Sequence, residues 1–427
     1  MSLALILLLL LLLLLGVPLL VPLLAAALLL LLFAFPGLDP ALLIQQMIAG
    51  VRPAVLVAVP LFIFAADLMT RGHTAQRLLD LVLTFVGHLR GGLPISAALG
   101  CTLFGAVSGS TQATVVAIGG PLRPQLLAAG YRDSFTTALL INASDIALLI
   151  PPSIGMIVYG VVTGTAVGEL FIAGIGPGLL ILLLFASYAW YHSRRHAIPR
   201  QPRASWRQRG QALWRAAPTL GFPLLIVGGI YSGLFSPTEA AAMAVLYALL
   251  LELLLFRSLK FSDLPAIALS SGLITAVVFI LVAAGSAFSW AISFARIPDQ
   301  LLADLLPLVT GDPTALLLLI AVSYFIGCMF VDPIVVILIL SPIFAPLVDS
   351  SGLDPVLVGT LVTLQAAIGS ATPPFGCDIF TAMAVFRRPY LAVIEGTPPF
   401  ILLLLLATLL LIWIPEIALW PRDLAFG

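Results

Sequence analysis

The chain has 427 residues, of which 61% are hydrophobic and only 9% charged, and its formal net charge is zero. With a mean hydropathy of +1.19, it carries far more apolar surface than a soluble fold could bury. Its recurring apolar stretches of about 20 residues match the length of a helix that crosses a bilayer. We therefore expect an all-α polytopic protein in contact with a lipid bilayer. The charge balance does not indicate nucleic-acid binding, and the three cysteines do not indicate a disulfide framework.

The first half of the chain begins with an N-terminal spanning helix and loop (1–52), in which residues 3–35 are almost all Leu and Ala. A first repeat is predicted over residues 53–190. It contains an amphipathic interfacial helix (73–90), a re-entrant hairpin whose short apolar arms meet at Ser108-Gly-Ser110 (93–122), and a helix broken at Pro151-Pro152 (134–164).

A cytoplasmic Arg-rich linker (191–215) leads to the second half. The parts predicted there are scaffold helices (216–271), a second repeat (272–414) and a C-terminal tail (415–427). The second repeat contains a second hairpin (314–348) and a helix broken at Pro373-Pro374 (355–385). We also expect a second interfacial helix over Arg296–Leu306.

The two hairpin and broken-helix stretches are copies of each other. Four pairs of residues are each separated by 222 positions: Gly105 and Gly327, Pro124 and Pro346, Gly130 and Gly352, and Pro151 and Pro373. When the linker is placed in the cytoplasm, 16 of the 19 basic residues fall on the inner side, in agreement with the positive-inside rule. The two hairpins then enter from opposite faces, so the sequence predicts inverted repeats.

Interrupted apolar segments in corresponding positions of two halves are typical of a transporter's binding site. Free backbone carbonyls and hydroxyl oxygens at such breaks suit Na⁺ as the coupling ion, and the alternative is that these residues only satisfy the broken helices. The predicted Na⁺-binding residues are Ser108, Gly109, Ser110, Ser153, Gly327, Asp332 and Thr372. Because neither tip has a carboxylate cluster, the sequence indicates no other metal and no cofactor.

Acidic residues at membrane depth are costly and indicate function. Together with the breaks they give a predicted substrate-binding set of Gln112, Asp145, Pro152, Pro374 and Asp378. Asp145 and Asp378 could contact substrate or be structural. Asp332 precedes Pro333 and could cap the second arm of its hairpin instead of binding an ion, and Glu239 has the position of a helix-start residue.

Several motifs resemble those of the large membrane subunit of tripartite ATP-independent periplasmic (TRAP) transporters. They are Pro60-Leu-Phe-Ile-Phe64, Gly87-His-Leu-Arg-Gly-Gly92, Val107-Ser-Gly-Ser110, Ile150-Pro-Pro-Ser-Ile154, Ser236-Pro-Thr-Glu-Ala-Ala241, Met329-Phe-Val-Asp-Pro333 and Ala367-Ile-Gly-Ser-Ala-Thr-Pro-Pro374. The stretches Asn142–Ala147, Ser110–Thr114 and Cys377-Asp378 differ from those expected of typical members.

The resemblance implies an elevator-type transporter with a fold like that of the ion transporter superfamily, in which a core of hairpins and broken helices moves against a scaffold. It also implies Na⁺-coupled import of an organic acid across the bacterial inner membrane. The implied partners are a small four-helix membrane subunit and a periplasmic substrate-binding protein.

Two other interpretations compete with this one. A stand-alone sodium/anion symporter of similar architecture would work without a binding protein. A membrane-embedded enzyme is disfavoured, because the sequence has neither a His-Glu-x-x-His motif nor a nucleophile with a plausible base.

Overall fold

The computed structural model describes residues 12, 17, 18, 20–297 and 312–426, and every regular element in this part of the chain is a helix. The helices of the first half are α1 (Leu20–Ala34), α2 (Ala41–Gly50), α3 (Ala58–Arg71), α4 (Thr74–Val86), α5 (Gly92–Ser108), α6 (Thr111–Thr114), α7 (Gly120–Ala128), α8 (Asp133–Ser144), α9 (Ile154–Thr163) and α10 (Val167–Arg195). Those of the second half are α11 (Trp206–Tyr231), α12 (Pro237–Leu249), α13 (Leu264–Phe294), α14 (Pro313–Phe330), α15 (Pro333–Ser351), α16 (Pro355–Ala371), α17 (Cys377–Phe386), α18 (Tyr390–Ile394), α19 (Pro398–Trp413) and α20 (Glu416–Phe426).

Short irregular turns extend several of these helices. They are two π turns (Val115–Gly119 and Leu250–Leu255) and three 3₁₀ turns (Ala54–Val57, Asp145–Leu148 and Phe261–Asp263). The π turn at 115–119 joins α6 to α7, and the 3₁₀ turn at 145–148 carries α8 to the first Pro-Pro break.

Seven helical stretches among the described residues are long and apolar enough to cross a membrane. They are Ala54–Arg71, Val167–Arg195, Trp206–Tyr231, Pro237–Leu255, Phe261–Phe294, Pro313–Phe330 and Pro333–Ser351. The pair α19 and α20, which meet at a bend of 57°, would make an eighth. An all-helical, multi-pass architecture is thereby confirmed. Because α14 and α15 are each long enough to cross, re-entrant entry of the second hairpin stays a prediction, as do the inverted repeats.

In the first half, local chemistry explains both the hairpin tip and the break. Gly109 ends α5 with a φ of +59°, and the Ser110 hydroxyl then caps α6 by accepting a hydrogen bond from the Ala113 amide at 3.4 Å. Ser153 caps α9 in the same way, accepting from the Met156 amide at 3.3 Å. The two prolines before it lack the N–H groups that would continue a helix.

In the second half, three helices begin with the pair Asp-Pro. The carboxylate oxygens of Asp312, Asp332 and Asp354 accept hydrogen bonds of 2.8 to 2.9 Å from the amides two residues further on. The proline that follows fits the first helical position, where an N–H would have no partner. Asp332 therefore caps α15, which is one of the two roles considered for it in the sequence. At the start of α12, Ser236 and Glu239 form a reciprocal capping box.

The hairpins and broken helices of the two halves interlock into one core. Helix α9 of the first half packs against α15 of the second, and α16 contacts the 3₁₀ turn at 145–148 as well as α14. Around this core, α13 packs against α1, α2, α3 and α15, while α11 packs against α4. The outer faces of α11, α12 and α13 expose many large apolar side chains, as expected of helices that face lipid or another membrane subunit.

The structure shortens the predicted linker, and two other sequence expectations lie partly outside the described residues. The non-helical connection between the halves covers only residues 196–205, because α10 continues to Arg195 and α11 begins at Trp206, inside the linker predicted over 191–215. The predicted N-terminal helix (3–35) is described only from residue 20, apart from residues 12, 17 and 18. The predicted interfacial helix Arg296–Leu306 lies outside the described residues beyond position 297.

Candidate functional site

The tip of the first hairpin gathers several side-chain and carbonyl oxygen atoms within residues 108–114. The hydroxyls of Ser108 and Thr114 lie 3.1 Å apart, and Thr114 donates to the Ser110 carbonyl at 2.8 Å. The Ser110 hydroxyl donates to the Gln112 side-chain oxygen at 3.3 Å. This is a compact group of hard oxygen donors. It includes Ser108 and Ser110, which the sequence predicts to bind Na⁺, and Gln112, which it predicts to bind substrate; both roles stay predictions.

The first tip lies directly against the first Pro-Pro break. A Cβ atom added at Gly109 would clash with the carbonyl oxygen of Pro152, so only glycine permits this approach. The peptide bonds Pro151-Pro152 and Pro373-Pro374, at the two breaks, are both cis. Gly109, Pro152 and Ser153, assigned to the site from the sequence, are therefore neighbours in space.

The second tip and the second break meet in a corresponding way. The Phe375 amide donates to the Met329 carbonyl at 3.1 Å, and a Cβ atom at Gly369 would clash with Cys328. Thr372 ends α16 and donates its hydroxyl to the Ile368 carbonyl at 2.6 Å.

Between the two tips lies a cavity of about 80 Å³. Its polar lining residues are Ser110, Thr111, Gln112, Asp332, Thr363, Ser370 and Cys377, and Gly109 also borders it. Four of these residues were predicted from the sequence, namely Gly109, Ser110, Gln112 and Asp332. The other four, Thr111, Thr363, Ser370 and Cys377, were not, although Ser370 lies within the motif Ala367–Pro374.

The remaining predicted residues do not line this cavity. Five of them lie at the tips and breaks that surround the cavity: Ser108, Pro152, Ser153, Gly327 and Thr372. Pro374 has its carbonyl oxygen occupied by the Tyr390 hydroxyl at 3.0 Å. Their roles as ligands stay predictions.

Three helix N-termini open onto the cavity. The lining includes the first residues of α9 (Ile154), of α15 (Pro333) and of α17 (Cys377). The N-terminus of a helix carries a partial positive charge and free amides, which favour an anionic group. The described lining has no Arg or Lys, and the Asp332 carboxylate already caps α15, so α9 and α17 are the helices whose N-termini could hold a carboxylate there.

Behind the cavity wall, two carboxyl groups from the two halves of the chain meet. Asp145 and Asp378 are fully buried and lie beside each other. Thr111, which lines the cavity, donates its hydroxyl to one oxygen of Asp378 at 2.7 Å. Neither Asp145 oxygen, nor the second oxygen of Asp378, has a hydrogen-bond donor in the part of the chain that the structure describes.

Such a pair is unstable if both groups carry a charge. Two unit charges about 4 Å apart repel by about 4 kcal/mol at an effective dielectric constant of about 20. Removing each carboxylate from water costs several kcal/mol more unless it is paired. No ion pair among the described residues involves Asp145 or Asp378, so the fold itself does not compensate their charge.

These features define a class: a multi-pass membrane transport protein whose site lies between paired hairpins and broken helices. Residues 6–417 match the family described as "Tripartite ATP-independent periplasmic transporter, DctM component". The chain belongs to this family and is a TRAP transporter large permease subunit, which is not an enzyme.

Among its relatives, the ectoine/5-hydroxyectoine TRAP transporter large permease protein UehC of Ruegeria pomeroyi is 62% identical over 413 residues, or 96% of each chain. The ectoine TRAP transporter large permease protein TeaC of Halomonas elongata is also 62% identical and is covered to the same extent. The C4-dicarboxylate TRAP transporter large permease protein DctM of Pseudomonas aeruginosa is 37% identical over 85% of each chain. In fold, the chain is similar to the YdaH transporter of Alcanivorax borkumensis, with a TM-score of 0.62, 18% identity and coverage of 89% and 88%.

Proposed function

We propose that this chain is the inner-membrane permease of a three-component importer of ectoine-like solutes, which are small zwitterionic organic acids. The observation that carries the proposal is 62% identity to two ectoine permeases over 96% of each chain. Identity to the C4-dicarboxylate permease is much lower, at 37%. We therefore propose that the substrate is an organic acid, as expected from the sequence, that also carries a positive charge.

The chemistry of the cavity supports a zwitterion over a dicarboxylate. A dicarboxylate would bring two negative charges next to Asp332, and no basic side chain of the described lining would offset them. A zwitterion could place its carboxylate at the helix N-termini of α9 and α17 and its cationic part near Asp332, which caps α15.

The same site supports Na⁺ coupling. The C-terminal ends of α5, α14 and α16 carry partial negative charge next to the hydroxyl and carbonyl oxygens of Ser108, Ser110 and Thr372. In the proposed mechanism, Na⁺ at these oxygens stabilises the tips against the breaks, and the core then moves as an elevator against the scaffold of α11 to α13. Because the cavity is smaller than a usual ligand pocket of about 300 Å³ or more, the tips must separate to admit substrate.

The partners in this proposal are a small four-helix membrane subunit and a periplasmic binding protein that delivers the solute. The exposed apolar faces of α11 to α13 offer a surface for the membrane subunit.

Uptake in liposomes tests the proposal. The chain reconstituted with both partners should accumulate radiolabelled ectoine, but not succinate, when an inward Na⁺ gradient is applied. Replacing Na⁺ by choline should abolish uptake. Accumulation by the chain alone would support the stand-alone symporter instead, and accumulation of succinate in preference to ectoine would overturn the substrate class.

A further inference from the structure

Around Asp145, the buried polar atoms that have no hydrogen-bond partner are all oxygen atoms that can accept a hydrogen bond. They are both carboxylate oxygens of Asp145, one oxygen of Asp378 and the side-chain oxygen of Asn142. Asn142 is fully buried and lies three residues before Asp145, so the helix places both side chains on the same face. The Asn142 amide group is oriented by its own donation to the Ala138 carbonyl at 2.8 Å.

A set of acceptors without donors can be completed by protons or by a metal cation. One proton shared by the two carboxyl groups would satisfy a single donor–acceptor pair and would leave the other oxygens without a partner. A small metal cation can approach several oxygens at once and also offsets the repulsion between the carboxylates. The donors are all hard oxygens, which suit an alkali cation, and no group of three or more His, Cys, Asp or Glu side chains among the described residues would favour a transition metal.

The position of this cluster connects it to transport. Asp145 belongs to the first half of the chain, Asp378 to the second, and Thr111 joins Asp378 to the wall of the cavity. A cation held here would link both halves at a point one hydroxyl away from the substrate.

We propose that Asp145, Asp378, Thr111 and Asn142 form a Na⁺ site that is separate from the oxygens of the hairpin tips. The inference rests on the Na⁺ coupling of the proposed function and adds a site to it. Filling this site with one Na⁺ lowers the net charge of the carboxylate pair from −2 to −1, and its occupancy stabilises the contact between Thr111 at the first tip and Asp378 after the second break.

Direct binding of radioactive Na⁺ tests the site without transport. The chain is purified with its small membrane subunit in lipid nanodiscs, and binding is measured against Na⁺ concentration with choline chloride holding the ionic strength constant. We expect Asp145→Asn and Asp378→Asn each to bind one Na⁺ fewer per complex at saturation. Thr111→Val, which removes one neutral ligand, should raise the half-saturating concentration of this site about tenfold, and Thr111→Ser should restore it.

The matched control is Thr136→Val, which removes another buried hydroxyl, on the same helix as Asn142. It should bind Na⁺ as the unchanged complex does. Wild-type stoichiometry in both Asp→Asn variants would overturn the additional site while leaving Na⁺ coupling intact. If the unchanged complex binds no Na⁺, the proposed coupling itself is wrong. Should the Asp variants fail to assemble, an unchanged half-saturation in assembled Thr111→Val would refute the site.

Discussion

Two buried carboxylate regions of this protein are built in opposite ways. In the scaffold, Glu252 is fully buried, yet Thr74 donates to one of its carboxylate oxygens at 2.7 Å and Ser258 donates to the other. In the core, Asp145 and Asp378 are buried just as completely, but three of their four oxygens have no donor among the described residues.

The comparison indicates that this fold supplies hydrogen-bond donors to a buried carboxylate when that carboxylate has a structural role. Thr74 begins α4 and Ser258 follows α12, so Glu252 ties an amphipathic helix to the scaffold. A buried acceptor without a partner costs about 1–3 kcal/mol. The core tolerates several such acceptors, as expected of a region that is completed by a ligand. Four predictions test this contrast.

The largest effect is expected from neutralising the core pair. Asp378→Asn should lower Na⁺-driven uptake by about hundredfold, near the upper end of usual coupling free energies, because the cation that links the halves is lost. Glu252→Gln should retain uptake per folded molecule, since its role is to hold the scaffold. Initial rates in proteoliposomes, normalised to correctly assembled protein, measure both. Equal losses in the two variants would remove the distinction between the regions.

A second prediction concerns how closely the core elements approach. Gly109→Ala should reduce uptake by at least about tenfold, because the left-handed backbone costs about 1–2 kcal/mol for alanine and the added methyl clashes with the Pro152 carbonyl. Gly120→Ala, in the same hairpin but with open space around it, should be neutral in transport. Normal uptake by Gly109→Ala would show that the tip need not touch the break.

A third prediction addresses the scaffold. Thr74→Val removes a donor to Glu252 and should lower the free energy of unfolding by about 1–3 kcal/mol. Thr84→Val, on the same helix, removes a hydroxyl that bonds only to the Asp80 carbonyl one turn earlier and should change stability much less. Thermal unfolding in detergent compares the two variants. Similar midpoints would mean that Glu252 does not depend on its donor.

The smallest effect is expected where the core does satisfy an acceptor. Tyr390→Phe removes the hydrogen bond to the Pro374 carbonyl and should cost about 1 kcal/mol of stability, with only a few-fold change in uptake. The exposed control Tyr231→Phe, which loses a longer hydrogen bond to the Leu424 carbonyl, should be closer to neutral. A loss of uptake in Tyr390→Phe as large as that in Asp378→Asn would mean that the second break depends on this bond.

The points at which the helices stop, and the residues at those points, could be predicted from the sequence. Prolines, glycines and capping side chains act on neighbouring backbone, so the tips at Ser108–Ser110 and Val331-Asp332 and the breaks at Pro151 and Pro373 could be read from local order. The cap formed by Asp332 is a local interaction of this kind. Apolar length likewise determined that the chain is helical and crosses the membrane several times.

Which of these residues contact each other depends on the tertiary structure. Thr111 and Asp378 are 267 positions apart, and their contact depends on how two halves of the chain interlock. The same holds for the hydrogen bond between Thr74 and Glu252, which are 178 positions apart. This bond gives the buried Glu252 a structural role that the sequence did not predict. Whether a buried carboxylate finds a donor is set by packing between distant elements, which leaves no regular spacing in the sequence.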